Sequence, residues 1–195
     1  MKSYKIIFLD IDGVLNSTRF SEEHYKQTGK PLFMFDFLDP DAVAKLVKFL
    51  ERHPEVRLVI SSSWRSGNYK EDIEFFSEKG TAPLVPYIVG VTGRSGDLHR
   101  GFEINHFLSY HNEEKFNWMQ GEPFVIEEYV VVDDDDFDIS ENLLDNFVHV
   151  DSNVGLTDED YEKIETVLHE EKKYFKLDEA IEFMEKRIKK MFNKN

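Results

Sequence analysis

The sequence contains no cysteine, has far fewer basic than acidic residues, and has only short apolar runs. Without cysteine, disulfides, thiolate metal sites and cysteine nucleophiles are all excluded. The 24 lysines and arginines are outnumbered by 39 acidic residues, and the net charge of −15 disfavours broad, sequence-independent binding to a polyanion such as nucleic acid. The apolar run that ends at Leu9 is too short for a signal-peptide core or a membrane span. We therefore predict a cytoplasmic protein that does not enter membranes.

The length of 195 residues, with 41% apolar residues, is enough for one well-cored domain. We predict this domain over residues 1–170, with small inserts at 16–39 and 66–99. An amphipathic helix is predicted over residues 171–195 and is expected to pack on the domain. The alternative for this helix is a dimer seam or a partner surface. It is predicted from an apolar stripe of residues spaced alternately by four and three, namely Leu177, Ile181, Met184, Ile188 and Met191.

Unbroken apolar runs alternate with helical patterns along the chain. Such runs are typical of parallel strands that are covered on both faces. The alternation predicts an α/β fold with a doubly wound, mainly parallel sheet. The predicted strands are residues 4–9, 56–61, 128–133 and 147–150, and the predicted helices are residues 39–53, 100–111 and 156–171.

Polar side chains stand at the end of each predicted strand. Asp10 and Asp12 follow the first strand, a run of serines at 61–63 ends the second, a run of aspartates at 133–136 ends the third, and Asp151 follows the fourth. In open α/β sheets, ligands bind at the carboxyl ends of the strands. If the strands are parallel, these groups lie along one edge of the sheet and form a site.

Aspartates as close as Asp10 and Asp12 repel one another unless a cation shares them. Oxygen ligands without histidine or cysteine favour Mg²⁺ over Zn²⁺. A carboxylate beside Mg²⁺ can attack phosphorus and form an aspartyl-phosphate. A second carboxylate can protonate the leaving oxygen and afterwards activate water. Gly13 allows a sharp turn that brings backbone N–H groups close to a phosphate.

Three segments resemble the motifs of a known superfamily. "FLDIDGVLN", "VISSSWR" and "YVVVDDDD" are similar to motifs I, II and IV of the haloacid dehalogenase (HAD) superfamily. They are most similar to HAD-type domains associated with RNA-repair proteins, in which an "RG-x-EI" helix and a "GLT" segment also recur. The resemblance extends from about Lys5 to Leu168. It implies a HAD-like, Rossmann-type fold with a small or minimal cap, and a Mg²⁺-dependent phosphoric monoester hydrolase.

The resemblance also implies roles for individual residues. It makes Asp10 the nucleophile, Asp12 the acid and base, and Ser62 the motif II hydroxyl that binds the transferring phosphoryl group. Arg100 is the predicted motif III cation because it precedes the helix before motif IV. The remaining predictions form two sets: Mg²⁺ ligands Asp10, Asp12 (through its backbone carbonyl), Asp133 and Asp134, and substrate contacts Gly13, Asn16, Ser63 and Arg65.

Several of these assignments have alternatives. Any of the three consecutive serines fits motif II, and the run of four aspartates leaves open which pair faces the metal. Arg94 and Arg65 are alternatives to Arg100, and Asn16 could simply form a turn. Several aromatic residues could stack on a nucleobase, although such residues more often pack in the core or the cap. They are Trp64, Phe33, Phe35, Phe37, Trp118 and Phe124.

The predicted substrate is a phosphorylated molecule, with nucleic-acid ends or nucleotides as the leading class. HAD proteins with small caps often accept bulky or polymeric substrates, which agrees with the resemblance to RNA-repair domains. A small-metabolite monophosphatase is one alternative, and a catalytically idle binding or partner module of the same fold is another. The oligomeric state is left open by the sequence.

Overall fold

The computed structural model describes residues 1–32, 38–77, 80–94 and 99–169. Its five strands form one parallel sheet in the order β3-β2-β1-β4-β5. Helices flank the sheet, so the predicted α/β, Rossmann-like fold is confirmed. The strands are β1 (Lys2–Leu9), β2 (Val56–Ile60), β3 (Ile88–Val91), β4 (Phe124–Asp133) and β5 (Phe147–His149); the helices are α1 (Thr18–Thr28), α2 (Pro40–Arg52), α3 (Tyr69–Ser77), α4 (Arg100–Tyr110) and α5 (Asp158–His169), with 3₁₀ turns at Ala82–Tyr87, Glu114–Met119 and Glu141–Asn146.

The core has two apolar layers, one on each face of the sheet. Successive side chains of a strand point to opposite faces, so β1 contributes to both layers. Ile6 and Phe8 join the layer that includes residues of α4, whereas Ile7 and Leu9 join the layer that includes residues of α2 and α5. All four side chains are at most 1% exposed. Burial on both faces explains why the sequence of β1 is an unbroken apolar run.

The predicted helix starts agree with the capping contacts in the structure. Asp39 caps α2 by accepting a hydrogen bond from the N–H of Asp41, and Pro40 occupies the first turn. Before α5, Thr157 and Asp160 exchange side-chain to backbone hydrogen bonds, as in a capping box. Within the described residues, each helix is too short or too polar to cross a membrane.

The two predicted inserts differ in their relation to the sheet. Residues 66–99 supply α3 and also β3, an edge strand of the sheet, so this segment is in part integral to the fold. Its strand signal was weak because β3 has four residues, contains Gly90 and follows Pro86 closely. Residues 16–39 contain α1, whose first turn is capped by Ser17. The predicted C-terminal helix lies outside the described residues.

Candidate active site

The carboxyl ends of β1, β2 and β4 lie side by side at one edge of the sheet. Backbone hydrogen bonds continue past the strand ends: the N–H of Asp10 donates to Val132 (3.0 Å), and the N–H of Ser61 donates to Leu9 (2.8 Å). The N–H of Val150 likewise donates to the carbonyl of Asp133 (2.9 Å). The polar groups that follow the strands are thereby brought to a common edge.

Asp10, Asp133 and Asp134 form an acidic cluster at this edge. One carboxylate oxygen from each lies within 4.8 Å of the others. Asp10 is 4% and Asp133 is 1% exposed. Asp134 packs directly on Gly13, which has a φ of +70°, and a Cβ at position 13 would overlap the Asp134 carboxylate. Glycine is therefore required here both for the backbone conformation and for the approach of Asp134.

Arg100 reaches the acidic cluster from the first turn of α4. Its Nη1 lies 2.6 Å from Asp10 Oδ1 and 3.0 Å from Asp133 Oδ2, and it also donates to the carbonyl of Ser61. The start of α4 is held against the loop after β4, because the N–H of Gly101 donates to the carbonyl of Asp138 (2.8 Å). This contact sets the position from which Arg100 enters the site.

Burial and mutual repulsion make the carboxylates of the cluster hard to ionise. Burial raises the pKa of Asp10, although Arg100 opposes the shift. Burial and the charge of Asp10 raise the pKa of Asp133 to about 7, again against the effect of Arg100. Burial and Asp10 also raise the pKa of Asp134. Burial lowers the pKa of Arg100, but Asp10 and Asp133 outweigh it and the net pKa is raised.

A hard divalent cation fits this cluster. The donors are all carboxylate oxygens, which suit Mg²⁺. Three carboxylates share one nearby guanidinium, so negative charge remains uncompensated, as the raised pKa values of Asp10, Asp133 and Asp134 indicate. Among the described residues, the carboxylate of Asp12 is not part of this cluster.

The three consecutive serines have different surroundings. The Ser62 hydroxyl hydrogen-bonds Asp10 and is fully buried. The Ser61 hydroxyl is buried with no hydrogen-bond partner in the described structure. Ser63 is exposed, and its hydroxyl lies 3.4 Å from Asp12 Oδ2. Of the three, Ser62 is the one whose side chain contacts the predicted nucleophile.

Asp12 lies on the solvent side of the site and is held by neighbouring side chains. Asn16 Nδ2 donates to its Oδ1 (2.9 Å), and Trp64 Nε1 donates to its Oδ2 (2.8 Å). The N–H of Gly13 donates to Asn16 Oδ1 (2.8 Å). In this structure Gly13, Asn16 and Ser63 thus contact one another or Asp12, and their roles in substrate binding stay predictions.

Arg65 is built into the turn that follows β2. It is 3% exposed, and its guanidinium donates to the carbonyl groups of Ser62, Thr92 and Gly93 and to the carboxylate of Glu103. Burial lowers the pKa of Arg65, although Glu103 opposes the shift. These bonds fasten the turn to the end of β3 and to α4. The predicted contact of Arg65 with substrate stays a prediction.

The contacts of the three candidate motif III cations can be compared directly. Arg94 is exposed, and its Nη1 lies 3.5 Å from the carbonyl of Arg65. Of the three candidates, Arg100 forms the bonds to Asp10 and Asp133. Glu103 was given no role by the sequence analysis although it lies in the "RG-x-EI" segment. That segment was the available signal, because it links Glu103 to Arg100 within one turn of α4.

A parallel Rossmann-like sheet with this acidic edge is the arrangement of hydrolases of the HAD superfamily, and the chain is of that class. More particularly, residues 6–161 match the family model of the HAD domain in Swiss Army Knife RNA repair proteins. The match spans most of the chain, which therefore belongs to this family, and the resemblance found in the sequence is confirmed. Searches of curated proteins and of solved structures found no significant match.

Proposed function

We propose that the protein is a Mg²⁺-dependent phosphatase that acts through an aspartyl-phosphate on Asp10. The observation that carries this proposal is the buried Asp10 carboxylate, bonded to Arg100 and Ser62 and clustered with Asp133 and Asp134. Asp10, Asp133 and Asp134, with the backbone carbonyl of Asp12, are the proposed ligands of Mg²⁺. When bound, the ion would neutralise charge on the phosphoryl oxygens.

In the first half-reaction, a carboxylate oxygen of Asp10 attacks phosphorus. A bond forms between this oxygen and phosphorus while the bond from phosphorus to the leaving oxygen breaks. Asp12 gives its proton to that leaving oxygen, which carries the electron pair away. The exposed position of Asp12 suits this role because a leaving group displaced by the buried Asp10 departs toward solvent.

In the second half-reaction, water attacks the phosphorus of the aspartyl-phosphate. Asp12 takes a proton from the water, the bond from phosphorus to Asp10 breaks, and inorganic phosphate leaves. Asp10 returns to its ionised form. Arg100 stabilises the transferred negative charge in both steps, since its guanidinium already contacts Asp10. The Ser62 hydroxyl is proposed to hold a phosphoryl oxygen beside Asp10.

The leading substrate class is a phosphorylated nucleic-acid end or a nucleotide. This part of the proposal is supported by the family, whose description refers to RNA repair proteins. The net charge of −15 favours contact with a chain end over contact along a duplex. A single phosphate that reaches the acidic edge meets Arg100, which offsets the repulsion locally.

The proposal is tested by phosphate release from p-nitrophenyl phosphate and from oligonucleotides phosphorylated at the 3′ or the 5′ end. Wild type and Asp10→Asn are compared in Mg²⁺ and in EDTA. We expect Mg²⁺-dependent release that the substitution abolishes. Faster turnover of mononucleotides than of oligonucleotide ends would favour a small-metabolite monophosphatase. No release by a folded protein would contradict the phosphatase proposal.

A further inference from the structure

The side chain of Asp12 is held by a tryptophan that sequence analysis treated as packing or a stacking surface. Trp64 Nε1 lies 2.8 Å from Asp12 Oδ2, and Asn16 Nδ2 lies 2.9 Å from Asp12 Oδ1. The Ser63 hydroxyl is a longer contact of 3.4 Å to Oδ2. Trp64 thus makes the shortest of the three contacts to this carboxylate. An indole N–H can only donate, so it fixes the carboxylate as its acceptor.

Trp64 is itself held in place by the fold. Its ring is partly buried and packs against the core layer on the α2 side of the sheet. Its backbone N–H lies 3.4 Å from the Ser62 hydroxyl, and the next residue, Arg65, ties the turn to Thr92, Gly93 and Glu103. The indole donor is therefore presented from a rigid turn.

Packing does not fix the side chain of Asp12, which is exposed; its carboxylate is held by hydrogen bonds from Trp64 and Asn16. An exposed aspartate without fixed partners samples several rotamers, and most of them place its oxygens out of reach of the leaving group. General acid catalysis requires the carboxyl to stay within hydrogen-bond reach of the atom that it protonates. Because packing already fixes the Trp64 indole, its hydrogen bond can hold Asp12 in one rotamer with little further loss of side-chain entropy.

We propose that Trp64 is a positioning residue that holds the Asp12 carboxyl where it exchanges a proton with the leaving group. The inference rests on the proposed phosphatase function. It assigns three residues of "SSSWR" to different tasks: Ser62 contacts Asp10, Trp64 orients Asp12, and Arg65 fastens the turn.

The contact can be tested without catalysis, because the chain has only two tryptophans. In a ¹H–¹⁵N correlation spectrum the two indole N–H groups give two signals, which Trp64→Phe and Trp118→Phe assign. We expect Asp12→Ala to shift the Trp64 signal upfield and to leave the Trp118 signal in place. Trp118 is a matched reference, since its indole N–H donates to the carbonyl of Lys115. An unmoved Trp64 signal would overturn the proposal.

The catalytic role is tested with two substrates that differ in their need for a proton. Benzyl phosphate releases a strongly basic alkoxide, whereas p-nitrophenyl phosphate releases a stable phenolate. We expect Trp64→Phe to lower kcat/KM for benzyl phosphate by about tenfold to a hundredfold, and for p-nitrophenyl phosphate by less than about threefold. Trp118→Phe should leave both values unchanged. Equal losses on both substrates, or none, would overturn the proposal.

A double-mutant cycle links the effect to Asp12. In an Asp12→Asn background, Trp64→Phe should change kcat/KM for benzyl phosphate by less than about twofold, because the carboxyl that it positions is gone. A full further loss in this background would show that Trp64 acts elsewhere and would contradict the proposal. Failure of the proposed function is a separate result, since in that case wild type releases no phosphate from either substrate.

Discussion

Asp10 and Asp133 are buried carboxylates that depend on one guanidinium for compensation. Arg100 contacts both, and the pKa values of both are nevertheless raised. A buried charge that loses its partner destabilises a protein strongly unless another cation replaces it. The same arrangement that suits Mg²⁺ binding and phosphoryl transfer therefore makes the metal-free protein sensitive to changes at Arg100.

Replacement of Arg100 by glutamine should remove activity and also weaken the metal-free fold. We expect kcat to fall by about a hundredfold or more, because charge on the phosphoryl group is no longer offset. In EDTA the free energy of unfolding should fall by about 3 kcal/mol, and Mg²⁺ should restore most of the loss. Urea denaturation with and without Mg²⁺ measures the second effect.

Arg94→Gln is the matched control for this substitution, since Arg94 is exposed and its Nη1 lies near the carbonyl of Arg65, whereas Arg100 is the arginine that contacts Asp10 and Asp133. It should leave stability and kcat near wild type. An equal loss of activity in Arg94→Gln would show that the motif III cation is misassigned.

Asp133 should give the metal-free protein a pH-dependent stability. Its pKa rises from 3.8 to about 7 on folding. Between these values the folded state holds a proton that the unfolded state has lost, so this group's contribution to stability is complete below the lower value. It is lost as pH rises toward the upper one. The contribution of Asp133 to the free energy of unfolding should change by at most about 1.4 kcal/mol per pH unit.

Urea denaturation in EDTA across this pH window measures the effect. The Asp133→Asn variant has no ionisable side chain at 133, so its stability should fall less steeply with pH than that of wild type; the raised pKa values of Asp10 and Asp134 account for the remaining slope. Saturating Mg²⁺ should abolish the slope in wild type because the ion favours the ionised carboxylates. The same pH dependence in wild type and Asp133→Asn would contradict the assignment.

Sequence reasoning identified the acidic residues because their chemistry and their place after apolar strands are both visible in the chain. Asp10, Asp133 and Asp134 meet because parallel strands end at one edge. The tasks of Trp64 and Arg65 were not visible. Neighbours in a turn point in different directions, and the partners of Arg65 come from the end of β3 and from α4.

At the scale of structural elements, the turn after β2 makes polar contacts with the end of β3 and with α4. The side chain of Arg65 is 3% exposed and that of Glu103 is 9% exposed. Their ion pair joins the turn to α4, the helix that also carries Arg100. The ion pair therefore links the position of this turn to the position of the helix that carries Arg100.

Replacement of Glu103 by glutamine should destabilise the protein by about 3 to 5 kcal/mol, because Arg65 would remain charged and buried without its carboxylate. The free energy of unfolding at neutral pH checks this value. Glu51→Gln on the exposed surface of α2 is the control and should change stability by less than about 0.5 kcal/mol. A loss of similar size in both variants would show that the ion pair contributes little.

The accuracy of the element predictions followed the length and continuity of the apolar pattern. The apolar runs at β1, β2, β4 and β5 predicted strands that the structure contains. The sequence analysis places β3 inside the predicted insert at 66–99. Its four residues include a glycine, and so short an apolar run does not distinguish a strand from a loop. Pairing with β2 supplies the stabilisation that its local sequence lacks.

At the scale of the whole molecule, a strongly acidic protein is proposed to act on anionic ends. The net charge of −15 repels a polyanion over distances comparable to the screening length. Attraction is confined to the site, where Arg100 and a bound cation would meet the terminal phosphate. Affinity should therefore depend on the end group and little on the length of the strand.

The salt dependence of KM checks this expectation. For a phosphorylated oligonucleotide, one neutralised phosphate predicts a rise in KM of about threefold between about 50 mM and about 200 mM salt. The acidic surface should reduce this rise further, and p-nitrophenyl phosphate is the reference with a single phosphate. A rise of a hundredfold or more would reveal an extended basic track and would contradict end-directed binding.

The contact of Asp134 with Gly13 also constrains how the sequence can diverge. Asp134 occupies the space that any Cβ at position 13 would need, and the two residues come from motifs far apart in the chain. The residues that are tolerated at position 13 therefore depend on the residue at position 134. In a library randomised at both positions and selected for folded protein, glycine at 13 should accompany aspartate at 134 far more often than independent choice allows. A larger residue at 13 should survive only with a shorter side chain at 134, and the φ of +70° should keep even these variants rare.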